Sequence, residues 1–391
     1  MNVIGRDNNV KKAYLKFPGI VGEMIDSLDD SLFENALSAE KIRNIEHVVI
    51  TGNGDSYCAA LATKEFNAHM FRNIDYQAVR CIDAARHHVY DERDPSKTLT
   101  IVISVSGGGS RVTEAMARAR KKGCTTLAVT SNPESRMAKE AENILQIRVP
   151  KPEGEWSPAF QALTFTCAVI TTVCFGLYAG RVLGNITAEE ADAQKKAIKD
   201  YVTSVCTEDV LGRLDDQMFD LSESWKDCIG FDFVGGGADF ATASFGSAKF
   251  FEIIGSLNCI NDVEDWCHIE FFQTRRNEIG TIFVANKVCA SFSRAVETAG
   301  SAVKSDRKVL VVTDAEPSEF IDGAVIARLP AAPAAYITPT VSYIPLFMLC
   351  NYICIKRGYE YFGGLDPQVN PLFSQDGGIN TIKTSNVVYI D

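Results

Sequence analysis

The residue types and spacing best suited to chemistry occur in the turn Ser104-Val105-Ser106-Gly107-Gly108-Gly109-Ser110. This turn ends the β-branched run Thr98–Val105, which predicts a buried parallel strand, and it precedes Val112–Arg120, which predicts an amphipathic helix. Glycines let the backbone come close to a ligand, and a helix N-terminus favours negative charge. The turn is therefore expected to bind a phosphate through Ser104, Val105, Ser106, Gly107, Gly109 and Ser110.

The sequence of this turn differs from the known nucleotide-binding loops. It lacks the Gly-Lys-Ser/Thr of a Walker loop, and it has hydroxyls where a dinucleotide fingerprint has glycines. A small phosphorylated metabolite is therefore favoured over a nucleotide. Ser110 has an alternative role, since a serine at this place can cap the following helix.

A second hydroxyl-bearing turn is expected at the same edge of the sheet. Val48–Gly54 predicts a strand that ends in glycines, and Asp55-Ser56-Tyr57 begins the next helix. Further strands are predicted at Thr125–Thr130 and Ile144–Val149, with helical patterns between them. This alternation predicts a doubly wound parallel sheet, in which ligands bind outside the carboxyl ends of the strands. Ser56 is therefore a further candidate for phosphate binding.

At these turns the chain resembles the SIS (sugar isomerase) family. Gly52-Asn53-Gly54-Asp55-Ser56-Tyr57 is similar to the first family signature, and Ser104-Val105-Ser106-Gly107 is similar to its Ser-x-Ser-Gly phosphosugar loop. A second, weaker copy begins at Phe231. Its predicted parts are the strand Phe231–Val234, the turn Gly235-Gly236-Gly237, the helix Phe240–Ile254, and strands at Thr281–Asn286, Val309–Thr313 and Ala324–Leu329. The resemblance implies an α/β fold with two doubly wound, flavodoxin-type modules in tandem, as in the isomerase half of glucosamine-6-phosphate synthases and in fructosamine-6-phosphate deglycases.

The resemblance also assigns catalytic residues in the second copy. The synthases have a lysine and a glutamate one helical turn apart, followed by a histidine sixteen positions after the glutamate. Lys249, Glu252 and His268 stand at these positions. Lys383 is the candidate for a further family lysine in the C-terminal tail. Because the helix around Lys249 and Glu252 is otherwise apolar, both side chains are expected to be buried.

These residue types suit proton transfer between C1 and C2 of an open-chain sugar. A carboxylate such as Glu252 can take and return the proton, and burial would bring its pKa nearer neutrality. An imidazole such as His268 suits ring opening, and the resemblance implies that a neighbouring subunit supplies it. Lys383 would form a Schiff base or hold the carbonyl oxygen, and Lys249 would stabilise developing charge.

The chain also departs from the synthase pattern. Val105 and Gly109 replace Gln and Thr in the phosphate loop, and the His-Gly-Pro motif becomes His268-Ile269-Glu270. Gly54, Ser157 and Glu270 are further candidates for substrate contacts. No glutaminase domain with a terminal cysteine precedes the first module, so glutamine-dependent amination is not expected. Arg275-Arg276 is interpreted as a solvated pair, with recognition of a substrate carboxylate as the alternative.

Composition limits the classes of partner. The chain has 391 residues, 46% of them hydrophobic, and a net charge of −11, which disfavours nucleic acid and acidic membranes as partners. Twelve scattered cysteines without Cys-x-x-Cys or metal-ligand spacing, together with no signal peptide, indicate reduced cytoplasmic thiols. His87-His88 is interpreted as surface. No metal and no organic cofactor are expected.

Five segments are expected along the chain. They are an N-terminal helical segment (1–45), the first SIS module with the phosphosugar loop (46–185), a helical linker (186–228), the second module with the catalytic Glu and His (229–362), and a C-terminal tail that closes the site (363–391). The apolar stretches Leu163–Gly176 and Tyr343–Ile355 are too interrupted for membrane spans and predict buried helices that join modules or pair subunits.

The sequence therefore predicts a cytoplasmic phosphosugar enzyme, a homodimer or larger assembly with shared active sites. The favoured reaction releases glucose 6-phosphate and an amine from a ketosamine (fructosamine) 6-phosphate. Aldose–ketose isomerisation of an amino-sugar phosphate is the close alternative. A sensor that binds sugar phosphate without changing it is the alternative from another class.

Overall fold

The β-branched runs of the sequence form two five-stranded sheets in which every pair of neighbouring strands is parallel. The structure is a computed structural model that describes residues 10–150, 157, 159–359 and 381–390. The strands of the first sheet are β1 (His47–Gly52), β2 (Asp75–Ala78), β3 (Thr98–Ile103), β4 (Thr125–Thr130) and β5 (Asn143–Gln146). Those of the second are β6 (Gly230–Gly235), β7 (Leu257–Asp262), β8 (Ile279–Val284), β9 (Lys308–Thr313) and β10 (Ala324–Arg328).

Both sheets have the same topology. The strand order is β2-β1-β3-β4-β5 in the first sheet, and the second repeats it as β7-β6-β8-β9-β10. In each sheet the order reverses between the first and third strands along the chain. Such a reversal opens a crevice at the carboxyl ends of these two strands, where ligands bind in doubly wound sheets. The expected fold class, two parallel-sheet modules in tandem, is confirmed.

Fifteen helices accompany the strands in the described part of the chain. The early ones are α1 (Val10–Tyr14), α2 (Phe17–Asp26), α3 (Asp30–Ala36), α4 (Ala39–Arg43), α5 (Asp55–Met70), α6 (Cys81–Arg86), α7 (Ser110–Lys121) and α8 (Arg136–Glu140). The later ones are α9 (Ala159–Val182), α10 (Ala188–Val205), α11 (Glu208–Trp225), α12 (Ala238–Ile254), α13 (Asp265–His268), α14 (Phe292–Lys304) and α15 (Ile344–Lys356).

The chain divides into two compact units, one around each sheet. Of the described residues, the first unit takes 19–150, 163–198 and 381–390, and the second takes 10–18, 157, 159–162 and 199–359. The segment 381–390 therefore packs with the first sheet, although it follows the whole second unit in sequence. This placement brings the C-terminal segment into the same unit as the phosphate loop.

Two helices are long and apolar enough to cross a membrane by length and composition alone, at Ala159–Val182 and Ala335–Lys356, the latter including a short 3₁₀ segment. Inside the chain, 94% and 100% of their apolar windows are buried, which is typical of core helices. Cys167, Cys174, Cys350 and Cys354 are buried in these helices, as expected of small core residues. All twelve cysteines are free thiols in the structure.

Several predicted boundaries were wrong in detail. The helix expected over Ala13–Leu37 is three helices, and its parts are separated at residues 15–16 and 27–29. Asp29 interrupts it by accepting the N–H of Leu32 at 2.9 Å, which is the hydrogen bond of a helix N-cap. The strands β2 and β7 were not predicted. Both are edge strands, and β7 has no fully buried residue, so neither carries a strong hydrophobic pattern.

Candidate functional site

The glycine turn after β3 is held in place by the end of the neighbouring strand β4. The carbonyl of Val105 accepts hydrogen bonds from the Ser131 N–H (3.0 Å), the Ser131 hydroxyl (2.7 Å) and the Thr130 hydroxyl (3.1 Å). Gly107 has φ of +60°, and a side chain there would collide with the hydroxyl of Ser135. The contacts of Val105 and the tight fit of Gly107 therefore fix the conformation of the turn.

Several hydrogen-bond donors at the carboxyl ends of β1 and β3 remain available for a ligand. The hydroxyl of Ser56 and the N–H groups of Ser106 and Gly109 have no hydrogen-bond partner within the described residues. The hydroxyl of Ser104 accepts the N–H of Gly107 at 3.2 Å and keeps its own proton for a ligand. Gly54, with φ of +52°, precedes the first turn of α5 and so places Ser56 at the end of β1. Such a set of donors suits the oxygens of a phosphate.

Ser110 has a different role from the rest of the turn. Its N–H donates to the carbonyl of Ile382 at 2.8 Å, and its hydroxyl donates to the carbonyl of Ser385 at 2.8 Å. The alternative that Ser110 caps the helix is therefore wrong, because its hydroxyl bonds to the C-terminal segment and Gly109 is the residue before the helix. Phosphate binding by Ser110 stays a prediction.

The same contacts bring Lys383 to the glycine turn. A methyl group at Gly108 would lie 3.8 Å from Cε of Lys383, so this side chain extends over the turn. Arg136 donates to the carbonyl of Lys383 at 3.1 Å. The turn, Lys383 and Arg136 provide a local positive charge on an acidic chain. The other predicted tail residues, 363–380 and 391, lie outside the described residues.

The corresponding edge of the second sheet is closed. Gly237 has φ of +57°, as Gly54 does in the first module, and Asp239 stands where Ser56 stands. The buried carboxylate of Asp239 accepts hydrogen bonds from the N–H (2.8 Å) and the amide (2.6 Å) of Asn286 and from the hydroxyl of Thr338 (3.4 Å). A buried acidic group at this place disfavours an anion, so the first module is the phosphate-binding candidate.

In the second module, α12 carries Lys249 and Glu252 on one face. The ammonium of Lys249 lies 2.7 Å from Oε2 of Glu252 and 5.1 Å from the ring centre of Phe245. Lys249 is buried as expected, with its side chain 6% exposed. The prediction that Glu252 is buried was wrong, because its side chain is 43% exposed. Glu252 lies two residues before the end of the helix at Ile254, and its carboxylate accepts a hydrogen bond from the ammonium of Lys249.

His268 ends the short helix α13 and is 69% exposed. Its Nε2 lies 3.2 Å from Glu264, which also binds Arg294 at 2.6 Å. No hydrogen bond joins His268 to Glu252 in the described chain. The predicted sixteen-residue spacing therefore does not produce a contact within one copy.

The remaining candidates are held in local contacts. Ser157 is buried, and its hydroxyl accepts the N–H of Ala159 at 3.3 Å near the start of α9. Arg275 binds Glu278, as the solvated-pair interpretation expects, and Arg276 donates to the carbonyl of Gln273 at 2.9 Å. Both contacts are those of structural side chains.

Glu270 belongs to the one group of possible metal ligands found among the described residues. Ligand atoms of Asp232, Cys259 and Glu270 lie within 4.8 Å of one another. The buried guanidinium of Arg307, however, is 3.0 Å from Asp232 and donates to the carbonyl of Glu270 at 2.7 Å. Because a cation already occupies this position, we interpret the group as a structural ion pair.

Two cavities in the first unit were not predicted. A small one of about 20 Å³, room for one water, is lined by His47, Asp75 and His88. His87 is exposed, as the surface interpretation expects, and His88 is partly buried at this cavity. Burial lowers the pKa of His88. A larger one, of about 520 Å³, lies where β4 and β5 end. Its lining residues are Glu23, Met24, Ser27, Ser131, Gln146, Ile147, Arg148, Val149 and Pro150.

The second module should lose stability as the pH rises. Burial raises the pKa of Asp239 and that of Asp232 from 3.8 to about 6, so between these pH values the native state binds more protons than the unfolded state. The free energy of unfolding therefore falls as pH rises through this window. Between pH 5.5 and 7.5 we expect a loss of roughly 2 kcal/mol, about 1 kcal/mol from each of the two carboxyls.

Urea unfolding followed by tryptophan fluorescence measures this change, because Trp225 and Trp266 are buried in the second unit. A midpoint that is higher at pH 7.5 than at pH 5.5 would contradict the assignment. Asp239→Asn should flatten the dependence, since it removes one of the two titrating groups.

Comparisons with known proteins agree with this arrangement. A family model described as "SIS domain" matches residues 41–174. The glutamine–fructose-6-phosphate aminotransferase (isomerizing) of Fusobacterium nucleatum subsp. nucleatum is 24% identical over 344 residues, which are 84% of this chain and 52% of that protein. The chain thus spans about half the length of the curated relatives it matches.

Solved structures show the same fold. The C-terminal domain of glucosamine-fructose-6-phosphate aminotransferase from Francisella tularensis superposes with a TM-score of 0.77 at 17% identity, covering 91% of this chain and 98% of that one. The tagatose-6-phosphate ketose/aldose isomerase of Escherichia coli gives 0.66 at 15% identity, covering 90% and 95%. The expected relationship to tandem SIS proteins is confirmed.

Proposed function

We propose that this chain, a SIS-family protein related to the isomerase domain of the aminotransferases, is an enzyme that releases glucose 6-phosphate and an amine from a ketosamine 6-phosphate. The observation that carries the proposal is the position of Lys383. An amine beside a donor-rich glycine turn can reach the open-chain carbonyl of a sugar whose phosphate the turn holds. No cofactor is needed for this chemistry.

The phosphate is bound by the first module. Its oxygens accept from the hydroxyls of Ser56 and Ser104 and from the N–H groups of Ser106 and Gly109, while Val105 and Gly107 shape the turn. Lys383 and Arg136 add positive charge. With Gly109 in place of a hydroxyl-bearing residue, main-chain donors carry more of the binding.

The reaction moves two protons and adds one water. Glu252 takes a proton from C1 of the ketosamine while the C2 carbonyl oxygen gains one, which gives an enaminol with a double bond between C1 and C2. Return of the C1 proton to C2, with loss of the proton on nitrogen, leaves an imine between C1 and the nitrogen. Water then adds to C1, the C1–N bond breaks, and the products are glucose 6-phosphate and the free amine. Lys249, at 2.7 Å from Glu252, stabilises the charge that develops.

The larger cavity favours the ketosamine over a plain sugar phosphate. It adjoins the glycine turn, because Ser131 both lines the cavity and binds the Val105 carbonyl. Its lining includes the carboxylate of Glu23 and the guanidinium of Arg148, and its volume of about 520 Å³ exceeds that of an amino acid. An amine with its own charged groups would find partners of both signs there.

A second copy of the chain supplies His268 for ring opening. The histidine is largely exposed, and in the described chain it contacts only Glu264. Exposed apolar side chains follow it directly, at Ile269 (57%), Phe271 (41%) and Phe272 (73%). Such a cluster is typical of a surface that another protein covers. This surface supports our proposal of a homodimer with shared active sites.

The close alternative, aldose–ketose isomerisation of an amino-sugar phosphate, uses the same residues and omits the hydrolysis. Alternatively, the chain is a sensor, which would bind the sugar phosphate and leave it unchanged. Exchange of a sugar proton with solvent distinguishes these two alternatives. An isomerase exchanges the proton on C1 or C2 with solvent, and a sensor does not.

The test is release of glucose 6-phosphate, coupled to its dehydrogenase, from a panel of fructosamine 6-phosphates. Glucosamine 6-phosphate is tested in the same assay with added phosphoglucose isomerase, because removal of its C2 amine gives fructose 6-phosphate. Release from a fructosamine 6-phosphate supports the proposal, and the best substrate names the amine. If no substrate releases glucose 6-phosphate, the panel is repeated in deuterated water. Deuterium at C1 or C2 then selects the isomerase, and its absence selects the sensor.

A further inference from the structure

The fully buried carboxylate of Glu114 lies on α7, one turn after the glycine loop. It forms ion pairs with Arg111 on the same helix and with Arg86, whose guanidinium is 3.1 Å away. A buried carboxylate is strongly destabilising unless it is paired. The two arginines provide that pairing, so Glu114 is held in one place.

The third partner of this carboxylate is the C-terminal segment. The N–H of Val388 donates to Oε1 of Glu114 at 3.1 Å. Arg111, which Glu114 orients, donates to the carbonyl of Asn386 and lies 3.5 Å from the hydroxyl of Ser385. Most residues from 381 to 390 are exposed, so these polar contacts rather than a buried core hold the segment.

Lys383 lies five residues before Val388 in the same segment. Between them, the carbonyl of Ser385 accepts the hydroxyl of Ser110, and just before Lys383 the carbonyl of Ile382 accepts the N–H of Ser110. These bonds fix the segment along the N-terminal turn of α7 and place Lys383 over Gly108. The position of the lysine thus depends on contacts that Glu114 and Arg111 anchor at one end.

From this arrangement we infer that Glu114 is a positioning residue. Its hydrogen bond with Val388 holds residues 382–388 in the position in which the amine of Lys383 lies over the phosphate loop. The inference rests on the proposed function, in which Lys383 meets the carbonyl of a phosphorylated sugar. A purely structural role would leave the reactivity of Lys383 independent of the Val388–Glu114 hydrogen bond.

Labelling with pyridoxal 5′-phosphate tests the inference without measuring enzyme turnover. The reagent carries both a phosphate group and an aldehyde, and the aldehyde forms an imine with a nearby lysine. Borohydride reduction fixes the label, and peptide mass spectrometry identifies the lysine. In the full-length protein we expect labelling at Lys383 that inorganic phosphate suppresses. Val388→Pro removes the donated N–H and should lower labelling at Lys383 about tenfold, while Val388→Ala, which keeps it, stays within about twofold.

Glu114→Gln should also lower the labelling at Lys383, with the labelling of other lysines as the internal standard. The Val388 variants alter an exposed residue outside any helix or strand, so they test the inference even if Glu114→Gln fails to fold. Equal labelling in Val388→Pro and Val388→Ala would overturn the inference, as would absence of label at Lys383 in the wild type. The protein could show labelling of Lys383 that depends on the Val388–Glu114 hydrogen bond and still release no glucose 6-phosphate. That result would support the positioning role of Glu114 and refute the proposed function.

Discussion

Glu252→Gln is expected to lower the turnover number for glucose 6-phosphate release by about 100-fold or more, because an amide cannot take the C1 proton. The partly exposed carboxylate is next to Lys249, whose ammonium lies 2.7 Å from its Oε2. The coupled dehydrogenase assay measures the change, and binding of substrate should alter little. Turnover above roughly a tenth of the wild-type value would rule out Glu252 as the base.

Glu297→Gln is a matched control for this variant. Glu297 also lies on a helix of the second module and binds a cation, Arg294, at 2.9 Å, yet it has no proposed part in the reaction.

Mixing Glu252→Gln and His268→Ala subunits tests the shared site. If a second copy supplies His268, subunit exchange restores part of the activity, and verified exchange without recovery would refute sharing.

The second large effect is expected at Lys383. Lys383→Met removes the amine and the charge, and we expect turnover to fall by about 100-fold. Lys383→Arg keeps the charge but cannot form an imine, so it distinguishes two roles of the lysine. Equal losses in the two variants indicate imine formation, whereas substantial recovery in the arginine variant indicates stabilisation of the carbonyl oxygen.

Lys304→Met serves as the control, because Lys304 is an exposed lysine at the end of α14 in the other unit. Binding of inorganic phosphate should weaken in Lys383→Met, since the amine lies over the turn that binds it. Full activity of Lys383→Met would show that the reaction does not need the Lys383 amine, and it would contradict the main argument for the proposed function.

Eight of the ten described strands were predictable, because buried parallel strands are continuous apolar runs. The predicted strand Thr125–Thr130 matches β4 at both ends. β3 ends at Ile103, two residues before the apolar run does, because Ser104 and Val105 already turn toward β4, with Val105 bound to Ser131. A hydrophobic pattern cannot show where a run leaves the sheet.

Burial of single polar residues was less predictable. The apolar helix α12 suggested that Lys249 and Glu252 were both buried, and only Lys249 is. The two residues are one helical turn apart, yet Lys249 is buried by its neighbours and Glu252 is partly exposed. A sequence gives the face of a residue but not how far its neighbours extend over it.

The family resemblance indicated that the C-terminal tail with Lys383 reaches the site, but nothing in the sequence indicated which residues hold the segment there. Glu114 and Val388 are 274 residues apart, and nothing near either indicates the other. Glu114 in an amphipathic helix is typical of a solvated residue, and its contacts with Arg86, Arg111 and Val388 explain its full burial. Contacts of this range depend on the tertiary fold.

The placement of residues 381–390 also sets the order in which the protein matures on the ribosome. The first sheet and its glycine turn are synthesised early, but the segment that carries Lys383 emerges only after the entire second module has been made. During that interval the partners that Glu114 and Ser110 have in the segment are missing. The nascent chain therefore completes this edge of the first unit only after the second module has been synthesised.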